Sequence, residues 1–340
     1  ENFLETLVSW LVSCSSATLR ALRHTSTISA YAIADSLLDI MSELSTKLDV
    51  DRRRLSTEQK KSKASSKRVA DLKQSVKTCE TNLAIAQENF SSILHGVLVH
   101  RSDDVDPHIR VDSIASLGEW SWKSPELVLK KHQSRLAKMF QDPSSNVRKG
   151  AVDALNSITN RIKDKKHFKI VKSLVTRTKK QILGLAVDVD DRVTMSGLSL
   201  LETLSKRGLL WKNDDEDDED EEERPELKAL EIHLFAQSDR LQHRAAKFLK
   251  TQLRGLRGDN VVAKQQIRAL VDLAVRHGDE KSGNLDHVDY LVRAFERVAQ
   301  NALSDCVAMC EMLRTDTKGT KSLSDYQCLI LSRILFASYN

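Results

Sequence analysis

The 340 residues carry 53 Lys and Arg against 48 Asp and Glu, a net charge of +5, with 5% aromatic residues, 11 glycines and 4 prolines. So few turn formers and aromatics argue against a sheet protein, and no apolar run approaches the roughly 20 residues that span a bilayer. Five scattered cysteines are too few for a disulfide framework and point to a reducing compartment.

Leu, Ala, Lys, Glu, Ser and Arg at helical spacing leave an all-helical chain as the expectation. Residues 1–95 contain neither Gly nor Pro, so long helices are predicted there. The chain opens ENFLETLVSW, without an initiator Met or a signal-like region, and reads as a piece of something longer. A first helix carries Leu7, Leu11 and Val12; a polar break at residues 13–16 offers a cap, and a second carries Leu19, Leu22, Ile33, Leu37 and Ile40. Leu37, Met41, Leu44, Leu48 and Leu55 then follow helical steps, with Asp51 interrupting. Beyond a polar stretch at residues 56–66, Val69, Leu72, Val76, Cys79, Leu83, Ala86, Phe90, Ile93 and Val97 alternate steps of three and four, a coiled-coil seam. Two seams meeting at one polar hinge predict an antiparallel hairpin projecting from the body; one long helix pairing with another chain is the alternative.

Residues 99–155 then hold two copies of one pattern. Asp106-Pro107 leads to Ile109-Arg110, Ile114 and Leu117; Asp142-Pro143 leads to Val147-Arg148, Ala151, Val152 and Leu155. Pro suits the first turn of a helix, and Asp before it can accept the orphan amide protons. The 38 positions from Ile109 to Val147 point to stacked helix pairs of the HEAT or armadillo kind, with Arg110 and Arg148 as struts between repeats. Val193 lies 46 positions further on and Leu241 another 48, the irregular spacing expected of such arrays. Further helices are predicted over residues 261–275, 288–303, 308–313 and 326–338. The last carries an apolar face (Ile330, Ile334, Leu335) that calls for a following repeat, so the array reads as truncated. The fold class is therefore all-α, a HEAT-repeat solenoid with a long projecting antiparallel helical hairpin. Its parts are N-terminal repeats at 1–40, the hairpin at 41–95, repeats at 96–211, an acidic loop at 212–225 and further repeats at 226–340.

The net charge hides a segregation. Residues 214–223 are ten consecutive acids, and without them the chain has 53 basic against 38 acidic residues, an excess of 15. A helical scaffold with that excess attracts a polyanion. The densest candidate is residues 161–180, with nine basic residues and Asp164 as the one acid. On a helix, Lys165, Lys169, Lys172 and Lys179 share one stripe, with Lys166 and Lys180 nearby, while Phe168, Val171, Val175 and Ile182 form an apolar face. Such a stripe fits phosphate contact without base reading; an ordinary solvated face is the alternative. A second run, Arg52, Arg53, Arg54, Lys60, Lys61, Lys63, Lys67 and Arg68, sits at the hairpin tip, where phosphate binding competes with a nuclear-import signal or mere solubility. Arg20 and Arg23 can join the positive surface, or Arg23 can bond between helices. Trp120 and Trp122 cannot share a helical face, so one is expected in the core and one within reach of a partner. Cys306 and Cys310, one turn apart, lack companions for a zinc site and read as buried. No phosphate-binding Gly-rich motif occurs, so neither a cofactor nor catalysis is expected.

With these residues in view, the chain resembles the stromal antigen (STAG) family of cohesin accessory subunits. Arg23-His24-Thr25-Ser26-Thr27 within LRALRHTSTISA looks like that family's RHT-S/A-T helix, the hairpin with DRRRLSTEQKK resembles its long paired helices, and GVLVHRSDDVDPHIRVDSIASLGEW at residues 96–120 is similar to its most typical region. The resemblance covers most of residues 5–205; divergence at 121–138 and the acidic insertion make it fungal-like. It implies a non-catalytic solenoid in the nucleus that docks on the kleisin subunit, grips double-stranded DNA and helps load or retain cohesin on chromosomes. It also implies that Trp120 helps line a pocket for aromatic side chains of loaders and regulators. A karyopherin- or phosphatase-type scaffold binding only proteins is the rival.

Overall fold

The computed structural model describes residues 3–61, 66–210, 225–252, 263–279, 284–314 and 323–339, and among them every regular element is helical. The chain divides into two compact units, Glu1–Thr178 and Lys179–Asn340, with the boundary inside one helix. The all-α solenoid class read from the sequence is the class observed.

The first unit opens with α1 (Phe3–Cys14), α2 (Arg20–Gln59) and α3 (Ser66–Ile93). The polar break ends α1 as the sequence indicates, but α2 then runs unbroken for 40 residues. The hairpin's first arm therefore starts at Arg20 rather than near residue 41. Its arms are antiparallel: the Ser75 hydroxyl donates to Asp51 Oδ2 at 2.7 Å, Arg52 pairs with Glu80 at 2.7 Å, and Glu58 lies nearer the tip, 4.0 Å from Arg68. Asp51, the residue that interrupts the seam, is buried with Ser75 as its partner. Seam positions Cys79, Ala86, Phe90, Ile93 and Val97 are buried, whereas Val69, Leu72 and Val76 toward the tip are half-buried.

At the hairpin base a π-helical turn, Leu94–Leu98, leads into α4 (Val99–Arg101). The extra residue in that turn lets Ile93, Leu94, Val97 and Leu98 all be buried. A Cβ on Gly96 would lie 2.8 Å from Val12 Cγ1, so glycine is what lets α1 approach.

The repeats follow as α5 (Pro107–Lys123), α6 (Leu129–Met139), α7 (Ser145–Arg161) and α8 (Lys165–Leu185). The 38-residue period is real, but the two Asp-Pro turns are not equivalent. Asp106 caps α5, accepting from His108 N–H at 2.8 Å with Pro107 as the first helical residue. Asp142 instead matches Asp104: each accepts the backbone N–H two residues on at 2.9 Å, and α7 starts only at Ser145. Arg110 bonds Asp142 through two 2.8 Å contacts and the carbonyl of Asp104 at 2.7 Å; Arg148 reaches the carbonyls of Asp142 and Pro143 at 2.8 and 3.1 Å. Arg110 is the strut between repeats that the spacing predicts, while these two bonds of Arg148 lie within the turn that precedes its own helix.

In the second unit come α9 (Asp191–Lys206), α10 (Pro225–Glu231) with a 3-10 turn (Ile232–Phe235), α11 (Asp239–Gln252), α12 (Ala263–His277), α13 (Asp286–Phe295), α14 (Gln300–Leu303), α15 (Cys306–Arg314) and α16 (Asp325–Ala337). Val193 and Leu241 are buried as the pattern requires. Here the Arg precedes the apolar residue, and the strut position passes to Thr194 and Gln242, which bond the carbonyls of Asp188 and Ala236 at 2.9 and 2.7 Å. Ile330 and Ile334 do not form an open face: both are buried, on a helix packed against α12 and α13. Cys306 and Cys310 are exposed rather than buried. The acidic run at residues 214–223 lies outside the described residues.

Candidate nucleic-acid and partner interface

The α8 helix separates its two kinds of residue as the spacing dictates. Val171, Leu174, Val175, Thr178 and Ile182 are buried, Phe168 is half-buried, and Lys165, Lys166, Lys169, Lys172 and Lys180 are exposed. No Asp or Glu occurs from Lys165 to Leu185, so the helix offers its own lysines no carboxylate. Lys166 reaches across to Glu126 at 3.2 Å. Among the described residues, Lys165, Lys169 and Lys172 have no ion-pair partner. Lys179, half-buried and already engaged, and Lys180 fall in the second unit.

The hairpin tip is more compensated. Arg52 pairs with Glu80, Arg54 lies 3.8 Å from Asp51, and Lys61 and Arg68 lie 2.6 and 4.0 Å from Glu58. Arg53, Lys60 and Lys67 are exposed and without an ion pair among the described residues. Lys63 lies outside them.

Two of the basic candidates are used inside the fold. Arg23 is 9% exposed; its guanidinium grips Asp104 (2.9 and 3.3 Å) and the carbonyls of Ala17 and Thr18 at 3.0 Å each, repeating the Arg110 arrangement. Burial would raise the Asp104 carboxyl, but the Asp106 amide, Arg23 and Arg101 outweigh it and hold it below the usual carboxylate range. Arg23 is therefore corrected from surface cation to strut. Arg20, whose side chain is more than half exposed, pairs with Asp106. Nearby, His24 meets Asp112 at 2.6 Å and Tyr31 meets Ser113 at 2.8 Å, fixing α2 to α5.

Trp120 is corrected as well. It is 1% exposed, edge-on to Tyr31 and Phe90 with ring centroids 5.4 Å away in each case, and thus sits where α2, α3 and α5 meet. A side chain so enclosed presents nothing to a partner. Trp122 is the reachable one: it is half-buried, its indole N–H donates to Glu119 at 3.0 Å, and the Arg161 guanidinium stacks 4.6 Å from the ring centre.

One cluster in the second unit escapes the sequence patterns. Glu202, 7% exposed, is met by Lys206 at 2.8 Å, Lys247 at 3.3 Å and Arg244 at 3.5 Å. Burial pushes the Glu202 carboxyl up, yet Lys206 and Lys247 together draw it below its ordinary value. The Glu202–Lys206 spacing is readable along one helix; the arrival of α11 is not. Among the described residues no group of three His, Cys, Asp or Glu side chains could hold a metal ion, and no helix is long and apolar enough to cross a membrane.

A STAG domain matches residues 1–75 and a stromalin conservative domain residues 103–177. Cohesin subunit psc3 of Schizosaccharomyces pombe is 27% identical over 339 residues, covering 96% of this chain and 31% of the relative; cohesin subunit SA-1 of Xenopus laevis is 27% identical over 205 residues, covering 59% of this chain and 16% of the relative. The chain thus spans a third or less of the length of these curated relatives. Cohesin subunit Scc3 from Z. rouxii shares the fold with a TM-score of 0.75 at 20% identity, over 98% of this chain and 40% of that one.

Proposed function

Because the chain belongs to the stromal antigen (STAG) family, we propose that it acts as part of a non-catalytic cohesin accessory subunit that binds double-stranded DNA without reading its sequence and docks on the kleisin subunit. Its place of action is then the chromosome in the nucleus, and its role is sister chromatid cohesion. DNA contact is assigned to Lys165, Lys169 and Lys172 on α8, joined by Arg53, Lys60 and Lys67 at the hairpin tip. Lys166, Lys179, Lys180, Arg20 and the compensated tip residues add to the surrounding potential. Trp122 is the aromatic side chain assigned to a regulator's peptide.

The observation that carries the reading is the α8 row: three exposed lysines on one face, with no carboxylate on the helix and no ion pair among the described residues. Cations held this way on a packed helix meet phosphates without first giving up an internal partner. Each phosphate neutralised releases condensed counterions, so affinity depends steeply on salt and little on sequence. Electrophoretic mobility shifts over a salt series, with two duplexes of unrelated sequence, test it. The expected result is equal affinity for both duplexes and a steep loss with salt. No shift at low salt would favour a scaffold that binds only proteins.

A further inference from the structure

The hairpin tip carries a feature that DNA contact does not use. Arg53-Arg54-Leu55-Ser56 places two arginines three and two residues before a serine, the charge pattern by which Arg-directed protein kinases select substrates. Ser56 is exposed, and its hydroxyl has no hydrogen-bond partner among the described residues. The adjacent Thr57 hydroxyl, by contrast, donates to the Arg53 carbonyl at 2.9 Å. Ser56 lies in the last turn of α2, which ends at Gln59. That turn's carbonyls lack intrahelical donors, so it is the part of the helix that most readily unwinds into a kinase cleft.

We propose that Ser56 is a phosphorylation site for an Arg-directed kinase and that its phosphate switches off polyanion binding by the hairpin tip. The proposal rests on the DNA-binding reading for its second half only. The Ser56 Oγ attacks the γ-phosphorus of ATP; the new O–P bond forms as the bond to ADP breaks, and the hydroxyl proton leaves to the kinase's base. The product carries about −1.5 to −2 charges at neutral pH. On a helix, residues three and four apart are neighbours. The phosphate thus stands beside Arg53 (i−3) and Lys60 (i+4), two of the three tip cations without an ion pair among the described residues. Pairing with them removes the cations that a DNA phosphate would meet. The negative helix C-terminus also repels the new charge and loosens the last turn.

The test uses the whole chain, a purified Arg-directed kinase with ATP, and mass spectrometry to place the phosphate, followed by the salt-series DNA binding above. Stoichiometric phosphate on Ser56, abolished in Ser56→Ala, supports the site; phosphate on Thr57 instead, or none, overturns it. Losing two phosphate contacts lowers affinity at 0.1 M salt by roughly 60-fold and the salt slope by about 1.8. A change under twofold in a protein phosphorylated at Ser56 overturns the switch. If the unmodified protein does not bind DNA, the function proposed above fails and the switch fails with it, while the mass spectrum still decides the site.

Discussion

Trp120→Ala separates the packing account of this tryptophan from a binding account. The ring is buried to 1% exposure and meets Tyr31 and Phe90 edge-on, so truncation both removes a large apolar surface and leaves a cavity at the junction of three helices. Buried aromatic-to-Ala changes cost about 3–5 kcal/mol, and each lost aromatic pair adds roughly 0.5–1.5 kcal/mol. The upper end, about 5 kcal/mol, is therefore expected for the first unit. A domain is stable by only about 5–15 kcal/mol, so the variant should be partly unfolded at 37 °C. Urea titration followed by far-UV circular dichroism measures it without depending on the fluorescence of the residue removed. A loss below about 1.5 kcal/mol, accompanied by weaker binding of an aromatic peptide, would refute the packing argument and return Trp120 to the surface.

Arg110→Met should cost about 3 kcal/mol, since it strands the mostly buried Asp142 carboxylate and frees the Asp104 carbonyl; Arg110→Met with Asp142→Asn should recover part of it in thermal melts, and a double cost equal to the sum of the two single costs would mean that the strut carries no coupling. Gly118→Ala should destabilise by about 1–2 kcal/mol although Ala is the better helix former, because the new methyl would lie 2.8 Å from Ala154 Cβ where α5 meets α7; a stabilised variant in urea would show that the two helices can part. His132 is held below its ordinary value of 6.5 by burial and then by His95, Arg135 and Lys131. Its folded state thus favours the neutral ring, so the stability it allows is present above about pH 6.5 and lost as pH falls through the lower folded value. His132→Gln should flatten the acid limb of a urea-midpoint-against-pH curve; an unchanged limb would place the acid sensitivity elsewhere.

Much of the fold is legible because its periods are local. The three-four steps from Val69 to Val97 and the split faces of α8 need only neighbours one or two turns away. What escapes is long-range pairing. Nothing near Arg23 announces Asp104, 81 residues on, yet that carboxylate turns a surface cation into a strut. Trp120 and Trp122 look alike in the chain, and the packing of α2 and α3 decides which is enclosed. The Asp-Pro dipeptides catch the eye, but the matched pair is Asp104 and Asp142, whose shared backbone contact only coordinates reveal. For the candidate site the sequence identifies which segments are basic; the fold decides which cations remain uncommitted.

The central claim, a fixed row of uncommitted lysines meeting DNA phosphates, is tested most directly by the salt slope of Lys165→Gln with Lys169→Gln and Lys172→Gln. If each lysine neutralises one phosphate, the slope of log K against log salt should fall in magnitude by about 2.7, with the thermal midpoint nearly unchanged. A slope and affinity equal to those of the unmodified chain would contradict the account.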